Sequence, residues 1–130
     1  MKITLMLFLF SFFAMVTIMA QEKTWIDSNG KITTKEKATF YRILSTDKKD
    51  NQRVITYYLS GKKALESYLI NGKKEGKSLE FYVTGEVKTT GGFKLGLKEG
   101  LWKTYYENGK IREKGKYAKG KKIGVWKIYY

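Results

Sequence analysis

The strongest constraint on the fold is a spacing of 24 residues that runs through the second half of the chain. It relates two sets of residues, the glycines Gly76, Gly100 and Gly124 and the tyrosines Tyr82, Tyr106 and Tyr130. A fixed period of this length is typical of repeat proteins, in which each unit is too small to bury its own apolar face and packs against its neighbours. The sequence therefore predicts an array of similar units.

Short runs of aromatic and β-branched residues lie between turns that contain glycine, which is typical of β-strands. Asn108-Gly109 is the strongest of the turn signals, because both central positions of a type I′ hairpin turn require positive φ. The same dipeptide recurs at Asn71-Gly72 and Asn29-Gly30, with weaker versions at Thr84-Gly85 and Lys119-Gly120. We expect an all-β fold made of successive β-hairpins.

A two-residue loop at Asn108-Gly109 sets a register between its two strands. The expected cross-strand pairs are Tyr106–Ile111, Thr104–Glu113, Trp102–Gly115 and Gly100–Tyr117. A similar count around Thr84-Gly85 gives the pairs Tyr82–Val87 and Gly76–Phe93. Large rings then lie opposite glycines, and each ring covers a backbone that has no side chain of its own.

The alternation of side chains along these strands predicts two different faces. One is a candidate aromatic interaction face, with Tyr82, Trp102, Tyr106, Ile111, Tyr117, Trp126, Ile128 and the exposed end of the last strand at Tyr130. The opposite face is a candidate basic surface, with Lys103, Arg112, Lys114, Lys116 and Lys127 between Phe81, Tyr105 and Tyr129.

The first half of the chain is less regular. Residues 21–56 are expected to form a divergent part with half a repeat around Asn29-Gly30, and residues 57–130 to form the repeats proper. Within the divergent part, Thr33 to Glu36 has a weak helix-capping pattern. Phe40 to Leu44 is predicted to form a strand, and Asp47 to Gln52 a polar loop.

Residues 1–20 have the pattern of a secretory signal peptide. Lys2 precedes an apolar run from Ile3 to Met19, and Ala20 is followed by polar residues. We expect a signal helix that is cleaved after Ala20, and hence a periplasmic or extracellular protein. An uncleaved membrane anchor is the alternative, because about 18 apolar residues can span a bilayer.

Composition restricts the chemistry. The chain has no cysteine and no histidine, so the usual zinc and copper ligands and an imidazole general base are missing. We expect no enzymatic activity, no metal and no cofactor. The net charge of +14 favours an anionic partner, and export favours envelope polymers or lipid headgroups over nucleic acid.

The segment from Glu99 to Lys110, read as Glu-Gly-x-Trp-Lys-x-Tyr-Tyr-x-Asn-Gly-Lys, resembles the variant MORN repeat of bacterial YwqK-family proteins, which are often labelled antitoxins. The resemblance is close over residues 72–130 and loose over 57–71. It departs from the pattern at Ser78, where later repeats have tryptophan. The resemblance implies an elongated single-layer antiparallel meander of β-hairpin repeats, no catalysis, and a role in binding or assembly.

Three functions remain open from the sequence. The first is an exported scaffold or adaptor that binds a protein partner, or a second copy of itself, through the aromatic face and the strand from Ile123 to Tyr130. The second, implied by the resemblance, is an antitoxin or immunity protein of the YwqK type. The third is an envelope component held on anionic polymers or lipids by the basic face.

Overall fold

The structure, a computed structural model, describes residues 21–130. The expected signal helix and its cleavage site at Ala20 lie before the first described residue. From residue 21 onward, no helix is both long enough and apolar enough to cross a membrane.

The described residues form one antiparallel β-sheet, as the sequence predicted. Its strands are β1 (Lys23–Ile26), β2 (Phe40–Thr46), β3 (Gln52–Tyr58), β4 (Lys63–Ile70), β5 (Lys73–Lys74), β6 (Gly76–Phe81), β7 (Val87–Lys94), β8 (Leu97–Tyr105), β9 (Ile111–Ala118) and β10 (Lys121–Ile128). Their order in the sheet follows the chain from β1 to β10, with the short β5 paired only to β4. The sheet is therefore a meander.

Two kinds of hairpin turn alternate along the repeats. Asn71-Gly72, Leu95-Gly96 and Lys119-Gly120 are two-residue loops in which both residues have positive φ, the type I′ pattern. The other turns are one residue longer and place one residue with positive φ at their end, such as Gly85 or Gly109. A hydrogen bond from Gly109 N–H to the Tyr106 carbonyl closes the second kind, at 3.0 Å.

The longer turn corrects part of the expected register. Asn108 does not adopt positive φ, so Asn108-Gly109 is not a two-residue type I′ loop, and neither is Asn29-Gly30. Ile111 pairs with Tyr105 instead of Tyr106, and Val87 pairs with Phe81 instead of Tyr82. A bulge then restores the expected pairs, which are Thr104–Glu113, Trp102–Gly115, Gly100–Tyr117 and Gly76–Phe93.

The N-terminal part continues the same sheet. A single 3₁₀ turn at Lys35–Lys37 lies where the capping pattern was noted, but the side chain of Thr34 makes no capping hydrogen bond. The segment from residue 31 to 33 folds back along the outer edge of β1. Ile32 forms a bridge with Ile26, and Thr33 N–H donates to the Trp25 carbonyl at 2.9 Å.

A single sheet leaves few places for a core. Four apolar residues in the described part are buried, namely Ile26, Ile55, Ala64 and Trp102. Side chains that share a face and lie on adjacent strands must therefore provide most of the packing. We call the side that carries Trp102 the ring face, and the side that carries Lys103 the lysine face, because neighbouring residues of a strand point to opposite sides.

Candidate interaction surfaces

Four rings form a continuous series across the last four strands of the ring face. The pairs are Phe93–Trp102, Trp102–Tyr117 and Tyr117–Trp126, with centroids 5.2, 5.8 and 5.1 Å apart. All three pairs are edge-to-face, the arrangement that the ring quadrupoles favour. Three of the predicted aromatic residues, Trp102, Tyr117 and Trp126, are therefore brought together, and Phe93 joins them.

Trp102 and Trp126 each lie over a glycine of the preceding strand. A Cβ added to Gly91 would stand 2.1 Å from the Trp102 ring, and one added to Gly115 would stand 2.1 Å from the Trp126 ring. The ring of Trp102 therefore covers Gly91, although Gly115 is its partner in the register with β9. In the earlier unit, where tryptophan is replaced by Ser78, the position equivalent to the glycine is Ser67, and both serines are buried.

Lysine ammonium groups cover this series of rings. Lys74 Nζ lies 4.9 Å from the Phe93 centroid, and Lys122 Nζ lies 4.3 Å from that of Trp126. Lys98 Nζ contacts both Trp102 and Tyr117, at 4.5 and 5.0 Å. These three lysines recur at the repeat period, and each contact is a cation–π interaction. Part of the ring face is thus covered by lysines of the same chain.

Three tyrosines tie successive repeats together through their hydroxyl groups. Tyr58 donates to the Phe81 carbonyl at 2.7 Å, Tyr82 to the Tyr105 carbonyl at 2.6 Å, and Tyr106 to the Tyr129 carbonyl at 2.7 Å. Tyr82 and Tyr106, predicted as members of the interaction face, are therefore inter-repeat hydrogen-bond donors. Tyr130 holds the next position in this series and is fully exposed.

Two glutamates cap the type I′ turns of the following repeat. Glu75 Oε2 accepts from Leu95 N–H at 2.8 Å, and Glu99 Oε2 accepts from Lys119 N–H at 2.9 Å. The recurrence of these two glutamates in the sequence reflects this contact, which no local sequence pattern predicts. Ile123 occupies the same position in the third unit, so β10 offers no carboxylate there.

The lysine face brings basic side chains into a row. Lys114 pairs in register with Lys103 on one side and with Lys127 on the other. Lys116 lies between Leu101 and Ile123 in the neighbouring row, whereas Arg112 is the extra residue of the bulge. No ion pair joins the lysines of this row to a carboxylate in residues 21–130. Like charges that lie directly opposite repel one another, so this row is an unfavourable feature of the isolated sheet.

The outer edge of β10 is a second candidate surface. The strand pairs with β9 and has no neighbour on its other side in the described part of the chain. Val125 is 82% exposed and Ile128 55% exposed, and Ile123 and Tyr129 are also exposed. An open groove of about 800 Å³ lies at the C-terminal end of this strand, between it and the β8–β9 turn, and is lined by Tyr106, Asn108, Lys110, Ile111, Tyr129 and Tyr130.

A buried glutamate in the N-terminal half was not singled out from the sequence. Both Nε and Nη2 of Arg53 donate to Glu66 Oε1, at 2.9 and 2.7 Å, and Tyr68 donates to the same oxygen. Lys63 Nζ lies 3.1 Å from the other oxygen. Burial raises the pKa of Glu66, but these hydrogen bonds outweigh burial and hold its pKa below the ordinary value of 4.5. All four side chains are engaged with one another, so the cluster has a structural role.

No family model, curated protein or solved structure matches this chain. What can be proposed about function therefore depends on the residues and geometry described above.

Proposed function

We propose that this protein is an exported binding scaffold of the MORN-variant type, which has no catalytic role and recruits another polypeptide by strand addition to the outer edge of β10. Strand addition uses main-chain hydrogen bonds for affinity and alternate side chains for specificity. An unpaired edge strand carries the row of N–H and C=O groups that this requires.

The observation that carries this proposal is the equivalence of β8 and β10. Gly100 and Trp102 of β8 occupy the same repeat positions as Gly124 and Trp126 of β10. Despite positive φ at Gly100, the outer edge of β8 pairs with β9 without interruption from Gly100 to Thr104. The corresponding edge of β10 has the same backbone features and is therefore competent to accept a strand.

The side chains at this edge also favour a polypeptide partner. Val125, Ile128 and Tyr129 expose apolar surface there. Ile123 replaces the glutamate that caps the next turn in earlier repeats, which makes this edge more apolar than that of β8. Burial of such side chains stabilises a complex by about 25 cal/mol per Å² of apolar area removed from water.

The test uses proline on the outer edge. Tyr129 N–H donates to the Arg112 carbonyl on the β9 side, so the N–H of Ile128 points outward, because successive N–H groups alternate. Ile128→Pro therefore removes a donor from the outer edge without removing one from the pairing with β9. Ile128→Thr is the matched control, since it keeps the N–H and a β-branched side chain.

Both variants and the native protein would be expressed as the complete chain and used to capture binding proteins from an envelope extract of the source cells. We expect the native and Ile128→Thr proteins to retain the same partner in about 0.5 M salt, and Ile128→Pro to lose it. Equal capture by all three would contradict strand addition. The mass of the native protein, when it is purified from these cells, tests export, since cleavage after Ala20 leaves Gln21 as its first residue.

The lysine face supports a second candidate, attachment to an anionic envelope polymer or lipid surface. The observation that favours it is the row of Lys103, Lys114 and Lys127, which lie opposite one another with no carboxylate paired to them in the described residues. A bound polyanion would remove the repulsion within this row. Surface charge of this kind attracts anionic partners and is screened by salt.

Binding to a soluble anionic polymer and to anionic vesicles, each titrated at increasing salt, tests this candidate. Lys114→Gln removes the central charge of the row, and Lys110→Gln removes one charge at an exposed turn. We expect Lys114→Gln to weaken binding more than Lys110→Gln, and salt to weaken both. Equal effects of the two substitutions would show that net charge alone is responsible.

A further inference from the structure

The outer edge of β10 is self-complementary. We infer that it pairs with β10 of a second copy of this chain, antiparallel and about a two-fold axis normal to the sheet that passes beside Val125. This inference rests on the proposed strand addition and names its occupant. Identical surfaces that meet about a two-fold axis form an isologous interface, the commonest arrangement in homodimers.

The other edge of the sheet does not offer an equivalent place. The outer side of β1 is covered by the chain's own segment, through the Ile26–Ile32 bridge and the hydrogen bond from Thr33 to Trp25. A second copy cannot add its β10 there without displacing that segment. Head-to-tail growth is therefore blocked, and pairing of β10 with β10 closes at two chains.

The axis at Val125 reproduces a relationship that the sheet already uses. Residues directly opposite each other must share a face, so the axis has to pass through a residue position. With Val125 on the axis, Trp126 lies opposite Gly124 of the second copy. Within the chain, Trp102 likewise lies opposite Gly115 in the register of β8 with β9. In both pairs a tryptophan faces a glycine across the strands, while its ring lies over the glycine of the preceding strand.

The lysines select this axis over its neighbours. Lys127 then lies opposite Ile123, Lys122 opposite Ile128, and Lys121 opposite Tyr129 of the second copy, so no two lysines are directly opposed. An axis at Gly124 would place Lys121 opposite Lys127, and like charges directly opposite are destabilising. An axis at Trp126 would place two tryptophans opposite each other, and neither would then face a glycine.

Charge also predicts how the pairing responds to salt. Lys127 and Lys121 of opposite copies become diagonal neighbours, and each chain carries a net charge of +14. Screening of this repulsion favours the pair, so self-association strengthens as salt rises. Attachment to a polyanion has the opposite dependence, because screening weakens attraction.

A single cysteine tests the axis directly, since the chain contains none. Val125→Cys places the thiol on the axis, where directly opposite Cα atoms lie about 4.5–5.5 Å apart, within the range of a disulfide. Val125 is 82% exposed, so the substitution leaves the folded sheet intact. Ile123→Cys and Lys127→Cys are the controls. In each of them, the thiol of one copy lies four residues, or about 14 Å, along the strand from the thiol of the other copy.

Each variant, expressed as the complete chain, would be oxidised with a mild disulfide buffer and its dimer fraction read from a non-reducing gel. We expect most of Val125→Cys to become dimer, and less than about a tenth of either control. Sedimentation equilibrium of the native protein should show an association constant that rises severalfold between about 0.05 and 0.5 M salt. Adding Ile128→Pro to Val125→Cys should abolish the cross-link.

Equal cross-linking of the three cysteine variants would overturn the two-fold axis at Val125. A native protein that stays monomeric at all salt concentrations, with no cross-link in Val125→Cys, would overturn the second copy as occupant. The proposed function is judged separately. If Ile128→Pro abolishes partner capture in that case, strand addition at β10 is retained as the proposed function, and the added strand belongs to a different polypeptide.

Discussion

The Trp126 ring occupies the space that a side chain at residue 115 would need. A Cβ built on Gly115 would stand 2.1 Å from ring carbon Cδ2 and 2.3 Å from Cε2, closer than carbon atoms approach. The same relationship links Trp102 to Gly91 one repeat earlier. The glycines on the ring face are therefore needed for ring packing.

We expect Gly115→Ala and Gly91→Ala each to lower the free energy of unfolding by about 1–3 kcal/mol, because the added methyl forces a tryptophan out of its place. Gly92→Ala is the matched control. A Cβ at Gly92 would lie 3.5 Å from its nearest neighbour, the Glu99 carbonyl, which is an ordinary contact. Urea unfolding followed by tryptophan emission measures all three.

The double variant Gly115→Ala with Trp126→Ser resembles the buried Ser67–Ser78 arrangement of the earlier unit. It should be less destabilised than the sum of its two single substitutions, since removal of the ring frees the space for the methyl. Strict additivity of the three free energies of unfolding would show that the ring and the glycine do not interact.

The tyrosine hydroxyls should contribute measurably to the link between repeats. Tyr82→Phe removes the donor to the Tyr105 carbonyl and should cost about 1 kcal/mol. Tyr130→Phe should change the free energy of unfolding by less than about 0.5 kcal/mol, because Tyr130 is fully exposed. Denaturant unfolding of the two variants tests this, and equal losses would mean that the hydroxyl bond contributes nothing.

Stability should depend on pH through Glu66. Its pKa in the folded protein is lower than the ordinary value of 4.5, so its stabilising contribution is present above that value and is lost as the pH falls through the folded pKa. Glu66→Gln should be less stable than the native protein by about 1–3 kcal/mol at pH 7. We expect the lower end, since Arg53 is half exposed.

The difference between native and Glu66→Gln proteins should shrink as the pH falls below 4.5 towards the folded pKa of Glu66, as measured by thermal unfolding in a series of buffers. Asp47, whose pKa is also lowered, by hydrogen bonds from the Asn51 side chain and from the backbone of Lys49 and Asn51, is common to both proteins. A constant difference over this range would show that Glu66 does not titrate within it.

The turn cap of Glu99 can be separated from its charge. Glu99→Gln keeps an oxygen acceptor for Lys119 N–H, whereas Glu99→Ala removes it. Hydrogen exchange at the Lys119 amide should accelerate in Glu99→Ala by about fivefold, for a hydrogen bond worth about 1 kcal/mol, and change little in Glu99→Gln. Similar acceleration in both variants would mean that the carboxylate acts through charge alone.

The fold was predictable because its signals are local and repeated. Aromatic and β-branched runs, the glycine period and turn dipeptides such as Asn71-Gly72 together specify a meander. The conformation of the turn at Asn108-Gly109 was not predictable. The dipeptide is compatible both with a two-residue loop and with a longer turn that places only Gly109 at positive φ. The longer turns shifted two expected pairs, and the bulges beside them left the rest in place.

The roles of individual side chains were harder to foresee. Tyr82 and Trp102 are both aromatic residues at repeat spacing, yet one donates a hydrogen bond to the next repeat and the other packs on a glycine. The contacts of Glu66 and Glu99 depend on residues 13 and 20 positions away in the chain, which no local pattern indicates. The row of lysines around Lys114 follows directly from the register.

The strictly sequential order of the strands also bears on how the protein folds. All-β proteins usually fold slowly, because they must close long loops before distant strands can pair. Here each strand pairs only with strands close to it in sequence, and the tyrosine bonds between repeats span only 23 residues. The sheet can grow one hairpin at a time from its N-terminal end, so each unit finds its neighbour already formed as the chain lengthens.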